Sequence, residues 1–204
     1  MYRSQQNEDE ILFQKYLNYE NGFFIELGAM DGIMYSNSYF YEMSLNWKGI
    51  LIEPSELYDS LVINRPNCHN FNYAISEIEG EVEFIGDGAL GGMTHTMDDK
   101  HRIGWELDRD QPFKVKSIPI SKIVDEVKVE KVDLFSIDVE GGELEVLKTF
   151  NWNIPVYIVL IEIAKHDLIK DDQCRDFLSK KGFELDMEIG CNEVWINKNF
   201  NKNE

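Results

Sequence analysis

Apolar positions along the chain gather into four dense runs, FFIELG at 23–28, GILIE at 49–53, VDLFSID at 132–138 and PVYIVLIEI at 155–163. Each is too continuous for a strand with one wet face, and strands buried on both faces read this way. Stretches with helical period lie between them at about 36–45, 55–64, 141–149 and 171–181, with a further helix near 5–19. Alternating strands and helices predict a mostly parallel sheet covered on both faces, an α/β fold. Residues 182–196, GFELDMEIGCNEVWI, read as two short strands about a turn, a hairpin that closes the sheet with an antiparallel edge. A chain of 204 residues can bury one substantial core, so a single domain over 1–204 is expected. Residues 86–112 carry glycines, charges and two histidines without a sustained period. So long a loop is either a lid-like or acceptor-recognising segment or a plain surface excursion.

Charge narrows the partners. Lys and Arg number 20 against 38 Asp and Glu, a formal net charge of -18, which repels phosphate backbones and anionic membrane surfaces. No nucleic-acid partner is expected. Cys68, Cys174 and Cys191 are odd in number and widely spaced, which suits neither a disulfide framework nor a zinc knuckle and points to a reducing, cytoplasmic setting. The opening MYRSQQNEDEILFQ lacks the apolar centre of a signal peptide, and PVYIVLIEIA is too short to span a bilayer. Nothing in the composition fixes an oligomeric state.

The segment FFIELGAMDGIMYSN at 23–37 turns from a buried strand into glycines, acids and polar residues. In an open parallel sheet, ligands collect beyond the carboxyl ends of the strands, and glycine there lets a ligand approach the main chain. The spacing E-x-G-x-x-x-G, from Glu26, Gly28 and Gly32, is not the G-x-G-x-x-G of a pyrophosphate site. Glu53 ends the next strand about 20 residues on, where a carboxylate accepts both hydroxyls of a ribose. A nucleoside without a phosphate site, in a pocket lined by Glu26, Asp31, Glu53 and Asp138, fits S-adenosylmethionine, a net cation.

Residues 22–164 resemble the FkbM-type methyltransferase family, in motif nearest its Star-like branch. Three segments carry the likeness: FFIELGAMDGIMYSNSYFYE with WKGILIEPSELY, then NYAISEIEGEVEF, then SIPISKIVDEVKVEKVDLFSIDVEGGELEVLKTF. The resemblance implies a Rossmann-like class I methyltransferase fold, a seven-stranded sheet ordered 3-2-1-4-5-7-6 with strand 7 reversed. It also implies S-adenosylmethionine as cofactor and O-methylation of a sugar hydroxyl in a glycan or glycoside. A non-catalytic interaction module and a protein or lipid methyltransferase are the alternatives. Many family members carry a lysine where this chain has Ser136.

Carried over by matching motif, Glu26, Gly28, Ala29, Asp31, Gly32, Ser36 and Asn37 would hold the methionine end of the donor, Glu53 and Pro54 the ribose, and Ala74 the adenine. Plain structural roles compete: Asn37 as a helix cap, Asp31 as a turn acid, Glu53 as a strand-end acid and Pro54-Ser55 as a helix start. Asp138 would face both the sulfonium and the acceptor, while Glu143 reads as a structural acid at a helix N-terminus. The general base is expected in the order Asp138, His166, Glu162. A cationic sulfonium would depress the basicity of Asp138, so a neutral histidine is chemically better suited. Asp138, Glu162 and a histidine form a set suited to a hard cation, but no ligand spacing demands one, and a metal is left unassigned.

Overall fold

The computed structural model describes the chain apart from residues 108–109, 164, 166 and 201–204. In chain order the elements are α1 (Glu8–Lys15), β1 (Phe23–Leu27), α2 (Tyr39–Leu45), β2 (Lys48–Ile52), α3 (Tyr58–Asn64), β3 (His69–Phe71), β4 (Ala74–Ile75), β5 (Gly80–Ile85) and β6 (Gly92–Met93). There follow α4 (Asp99–Gly104), β7 (Phe113–Ile118), α5 (Ile120–Val127), β8 (Val132–Ile137), α6 (Glu143–Thr149), β9 (Val156–Glu162), α7 (Leu168–Lys180), β10 (Glu184–Ile189) and β11 (Asn192–Ile196).

Seven strands form the main sheet in the order β3-β2-β1-β8-β9-β11-β10. Counted along this sheet alone, that order is 3-2-1-4-5-7-6, and β11 runs antiparallel to both its neighbours. The four apolar runs are its four central strands, and alternate residues serve two cores. Ile25, Leu27, Phe135 and Ile137 pack with α5, α6 and α7. Phe24, Leu51, Leu134, Ile158 and Leu160 pack with Leu12, Tyr41, Trp47 and Leu61 on the other face. Burial on both faces is why no polar alternation shows in these strands.

Helices α1, α2, α3 and α6 are shorter than their periodic stretches, whereas α7 starts three residues earlier than expected. α2 starts only at Tyr39 because Ser36, Asn37 and Ser38 turn inward to hydrogen-bond with Glu26. One architectural feature lies outside the sequence expectation: β4, β7, β5 and β6 make a second, four-stranded sheet between the third and fourth strands of the main one. Ala74, Val82, Phe84, Met93 and Val115 form its small core. The described part of 86–112 contains a 3-10 turn at Gly88–Leu90, strand β6 and helix α4, which Asp98 caps by accepting from the Lys100 and His101 amides.

Register places the site. Leu27 pairs with Ile52 and with Ile137, and Ile137 pairs with Ile161. The next residue of each strand, Gly28, Glu53, Asp138 and Glu162, therefore falls in one row across the carboxyl edge. Where β1 and β8 leave the sheet side by side the backbones nearly touch: Gly28 has φ +72, and a Cβ built on it would lie 2.0 Å from the carbonyl oxygen of Asp138. Gly28→Ala should destabilise the fold by about 3 kcal/mol, combining strain at positive φ with overpacking against main chain. Urea denaturation checks this, and a midpoint equal to that of the parent would mean the two strand ends can part freely.

Candidate active site

A cavity of about 350 Å³ opens at that carboxyl edge. Glu26, Gly28, Glu53, Asp138 and Glu162 form its floor, the turn at 88–91 with Met93 forms one wall, and Gln5, Gln6 and Tyr35 form another. His101 and Trp105, from α4 and its exit, complete the lining. The N-terminal wall is pinned in place. Gln6 Nε2 donates to Cys191 Sγ at 3.6 Å, the Gln6 amide donates to Glu8 Oε2 at 2.7 Å, and Asn192 Nδ2 donates to Glu8 Oε1 at 2.8 Å.

Two of the acids are held by their own neighbours. Glu26 Oε1 accepts from the Asn37 amide at 2.6 Å, and Oε2 accepts from the hydroxyls of Ser36 and Ser38. Behind the serines lies Arg65, fully buried, whose guanidinium donates to Gly32 O at 2.8 Å, to Ser36 Oγ at 3.3 Å, to Ser38 Oγ at 3.0 Å and to Glu42. Arg65 thereby fixes the two serine hydroxyls that hold Glu26. Glu53 spans the β1 turn: Oε2 accepts from the Met30 amide and Oε1 from the Ser55 amide, both at 2.8 Å. One acceptor in this half is unsatisfied. Asn37 Nδ2 donates to Ser136 Oγ at 3.0 Å, which leaves the buried Asn37 Oδ1 without a partner among the described residues.

The other half is a corner of mutually repelling carboxyls. Oxygens of Asp138, Glu140 and Glu162 lie within 4.8 Å of one another. Burial, then repulsion from Glu162 and Glu143, pushes Asp138 well above the usual carboxylate range. Burial and the charges of Asp138 and Glu143 raise Glu140 to about 8, with Lys170 opposing. Glu162 rises to about 8 through burial and the charges of Glu140 and Glu143. Asp138 and Glu162 are hydrogen-bonded, and we assign the shared proton to Asp138. Cys191 adds its thiol to Glu162, and burial lifts that thiol to about 12, so it is no nucleophile at neutral pH. His101 Nδ1 stands 3.4 Å from Glu140 Oε2.

Of the residues expected at the site, Glu26, Gly28, Asn37, Glu53, Pro54, Ala74, Asp138 and Glu162 line the cavity, and Ala29, Asp31, Gly32 and Ser36 do not. Asp31 closes its own turn, accepting from the Ile33 and Met34 amides at 2.9 and 2.8 Å. Gly32 makes room for α3, since a Cβ there would stand 2.6 Å from Arg65 Cγ. Ala29 is buried in the core and Ser36 acts through Glu26. His166 lies outside the described residues. Glu143 caps its turn, accepting from the Gly141 amide at 2.9 Å. Sequence reasoning reads His101 as a loop histidine that could meet an acceptor and does not single out Glu140 as a lining residue. The left-handed φ of 50 at Glu140 places it before α6 and turns it to the cavity.

The raised carboxyls set a pH dependence. Glu140 and Glu162 ionise near 4.5 when unfolded and near 8 in the fold, so the folded chain binds more protons between those values. Stability is fully present below about 4.5 and lost as pH rises toward about 8. In metal-free buffer the melting temperature should fall across that window, and Glu162→Gln should flatten the slope. A parent slope that rises instead, or one the variant leaves unchanged, would refute the assignment.

Comparisons with known proteins bear on this geometry. The fold is similar to that of Aeropyrum pernix fibrillarin, solved with natively bound S-adenosyl-L-methionine, at TM-score 0.52 and 13% identity over 96% of this chain and 74% of that one. It is also similar to a Staphylococcus aureus protein assigned as a caffeoyl-CoA O-methyltransferase, at TM-score 0.52 and 12% identity over 97% and 85% of the two chains. At such identities the likeness speaks for the fold alone. No curated protein matches the sequence. The model of the methyltransferase FkbM domain matches residues 26–185, and the chain belongs to that family of methyltransferases.

Proposed function

We propose that this protein transfers a methyl group from S-adenosylmethionine to a hydroxyl of a sugar, in a glycan or a small glycoside. The observation that carries the reading is the set of acids at the carboxyl edge, Glu26, Glu53, Asp138 and Glu162, lining one cavity of ligand size in a chain of this family. The natively bound donor of the fibrillarin supports the same donor here. Bound, it would supply an electrophilic methyl on a sulfonium.

The residues present fit that group. Asn37 Oδ1, buried and unpartnered, offers an acceptor to an ammonium. Each Glu53 oxygen accepts one backbone amide and keeps a lone-pair direction for a ribose hydroxyl. Gly28 lines the cavity with main chain, its bare Cα being required by the Asp138 carbonyl packed against it. The acceptor would attack in line, its oxygen bonding to the methyl carbon as the carbon–sulfur bond breaks. Glu162, hydrogen-bonded to protonated Asp138, would take the hydroxyl proton, since a carboxyl raised to about 8 is a better base at neutral pH than an ordinary one.

Sugar as the acceptor class is supported by the open rim, where Trp105 and Tyr35 are 57% and 45% exposed beside the amides of Gln5 and Gln6. Flat aromatic faces with amide donors suit the C–H and O–H faces of a pyranose. The net charge of -18 speaks against nucleic acid. Among the described residues no helix is long and apolar enough to cross a membrane. A cytoplasmic setting is our reading of three unbridged cysteines.

Two measurements test the proposal. Incubation with donor labelled in its methyl group, followed by separation of glycan, protein and lipid fractions, should place label in the glycan; label confined to protein or lipid would overturn the sugar assignment. Glu53→Ala should weaken donor binding by about 1–3 kcal/mol in calorimetric titration. Equal affinity in parent and variant would remove Glu53 from the ribose, and no heat with the parent would leave a non-catalytic module as the better account.

A further inference from the structure

We propose that a hard divalent cation, Mg²⁺, Mn²⁺ or Ca²⁺, binds between Asp138, Glu140 and Glu162, at the seam between the main cavity and a smaller one behind it. Geometry comes first. Two oxygens on one ion at about 2.4 Å each stand no more than about 4.8 Å apart, and the oxygens of these three residues meet that limit. They are brought together by the fold alone. Asp138 and Glu162 end the paired strands β8 and β9, and Glu140 is set by its left-handed backbone and by Glu143, which accepts from the Gly141 and Val139 amides.

The second cavity supplies an independent observation. It measures about 30 Å³, room for about one water or ion and for no organic ligand. Glu140 and Glu162 line it together with Asp98, Glu143, Asp167 and Asp171. Asp171 is only 4% exposed, and its Oδ2 has no hydrogen-bond partner among the described residues. A carboxylate oxygen left bare in the interior is costly, and a water on the ion's outer side would serve it. Lys170 does not fill this role, being held by Gly141 O at 2.9 Å and by Glu143 at 3.7 Å. All-carboxylate ligation selects Mg²⁺, Mn²⁺ or Ca²⁺ over softer metals.

The cation and the shared proton compete for the same oxygens. With the ion bound, the shared proton is displaced and the three carboxyls are held ionised. On the methyl-transfer reading an acceptor hydroxyl on the ion would also be easier to deprotonate. The binding claim itself does not rest on that reading.

Manganese is the probe, since the electron paramagnetic resonance signal of free Mn²⁺ disappears on binding. Titrating the full chain with Mn²⁺, without donor or acceptor, should show one site per chain that excess Mg²⁺ competes away. Glu162→Gln and Glu140→Gln, each confirmed folded by circular dichroism, should each weaken binding at least about tenfold. Glu79→Gln, which alters an exposed acid paired with Lys122, should leave it unchanged. An undiminished free Mn²⁺ signal at excess protein, or equal titrations for the parent and both site variants, would overturn the proposal. No methylation is read, so this outcome stays separate from the fate of the sugar assignment.

Discussion

Between the ends of β1 and β8 there is room for the hydrogen of Gly28 and nothing larger, because the carbonyl oxygen of Asp138 occupies the place of a side chain. That approach locks two neighbouring strands at the point where they leave the sheet, and the register of β2 and β9 carries the alignment to Glu53 and Glu162. A hydrogen-bonded sheet fixes strand separation, but residues beyond it are free to splay. Here the close contact removes that freedom. The strand ends that carry Glu53, Asp138 and Glu162 are aligned through it.

Carboxylates along this one edge meet opposite fates. Glu26 and Glu53 are each anchored by short-range donors on both oxygens, with the buried guanidinium of Arg65 behind the serines that hold Glu26. Asp138, Glu140 and Glu162 face one another with few donors and hold onto protons instead. The same residue type therefore makes a rigid recognition surface in one half and a titrating, reactive corner in the other. The dividing line is the supply of local N–H and O–H groups rather than depth in the protein.

The main sheet was legible because strands buried on both faces leave uninterrupted apolar runs, and the closing hairpin because EIGCN reads as a turn between two short strand-like stretches. The second sheet was less so. Its signal existed, since EVEF and FKVKS alternate with opposite charges that pair across β5 and β7, Glu81 opposite Lys116 and Glu83 opposite Lys114. With one face wet, though, these strands do not stand out as buried runs do. At the site, spacing and motif found the edge acids but could not separate Gly28, which faces the cavity, from Gly32, which faces Arg65. Nor could they reveal that Glu140 turns outward before its helix begins. Both depend on where a distant element packs.

The span that identifies the family, 26–185, is not the span that encloses the cavity. Gln5 and Gln6 lie before it and Cys191 after it, tied to each other across the tip of the β10–β11 hairpin. A version trimmed to the recognisable homology would keep the donor motifs and lose a side of the chamber. Relatives that differ in these flanks can thus share a reaction while admitting different molecules, and selectivity would be inherited separately from chemistry.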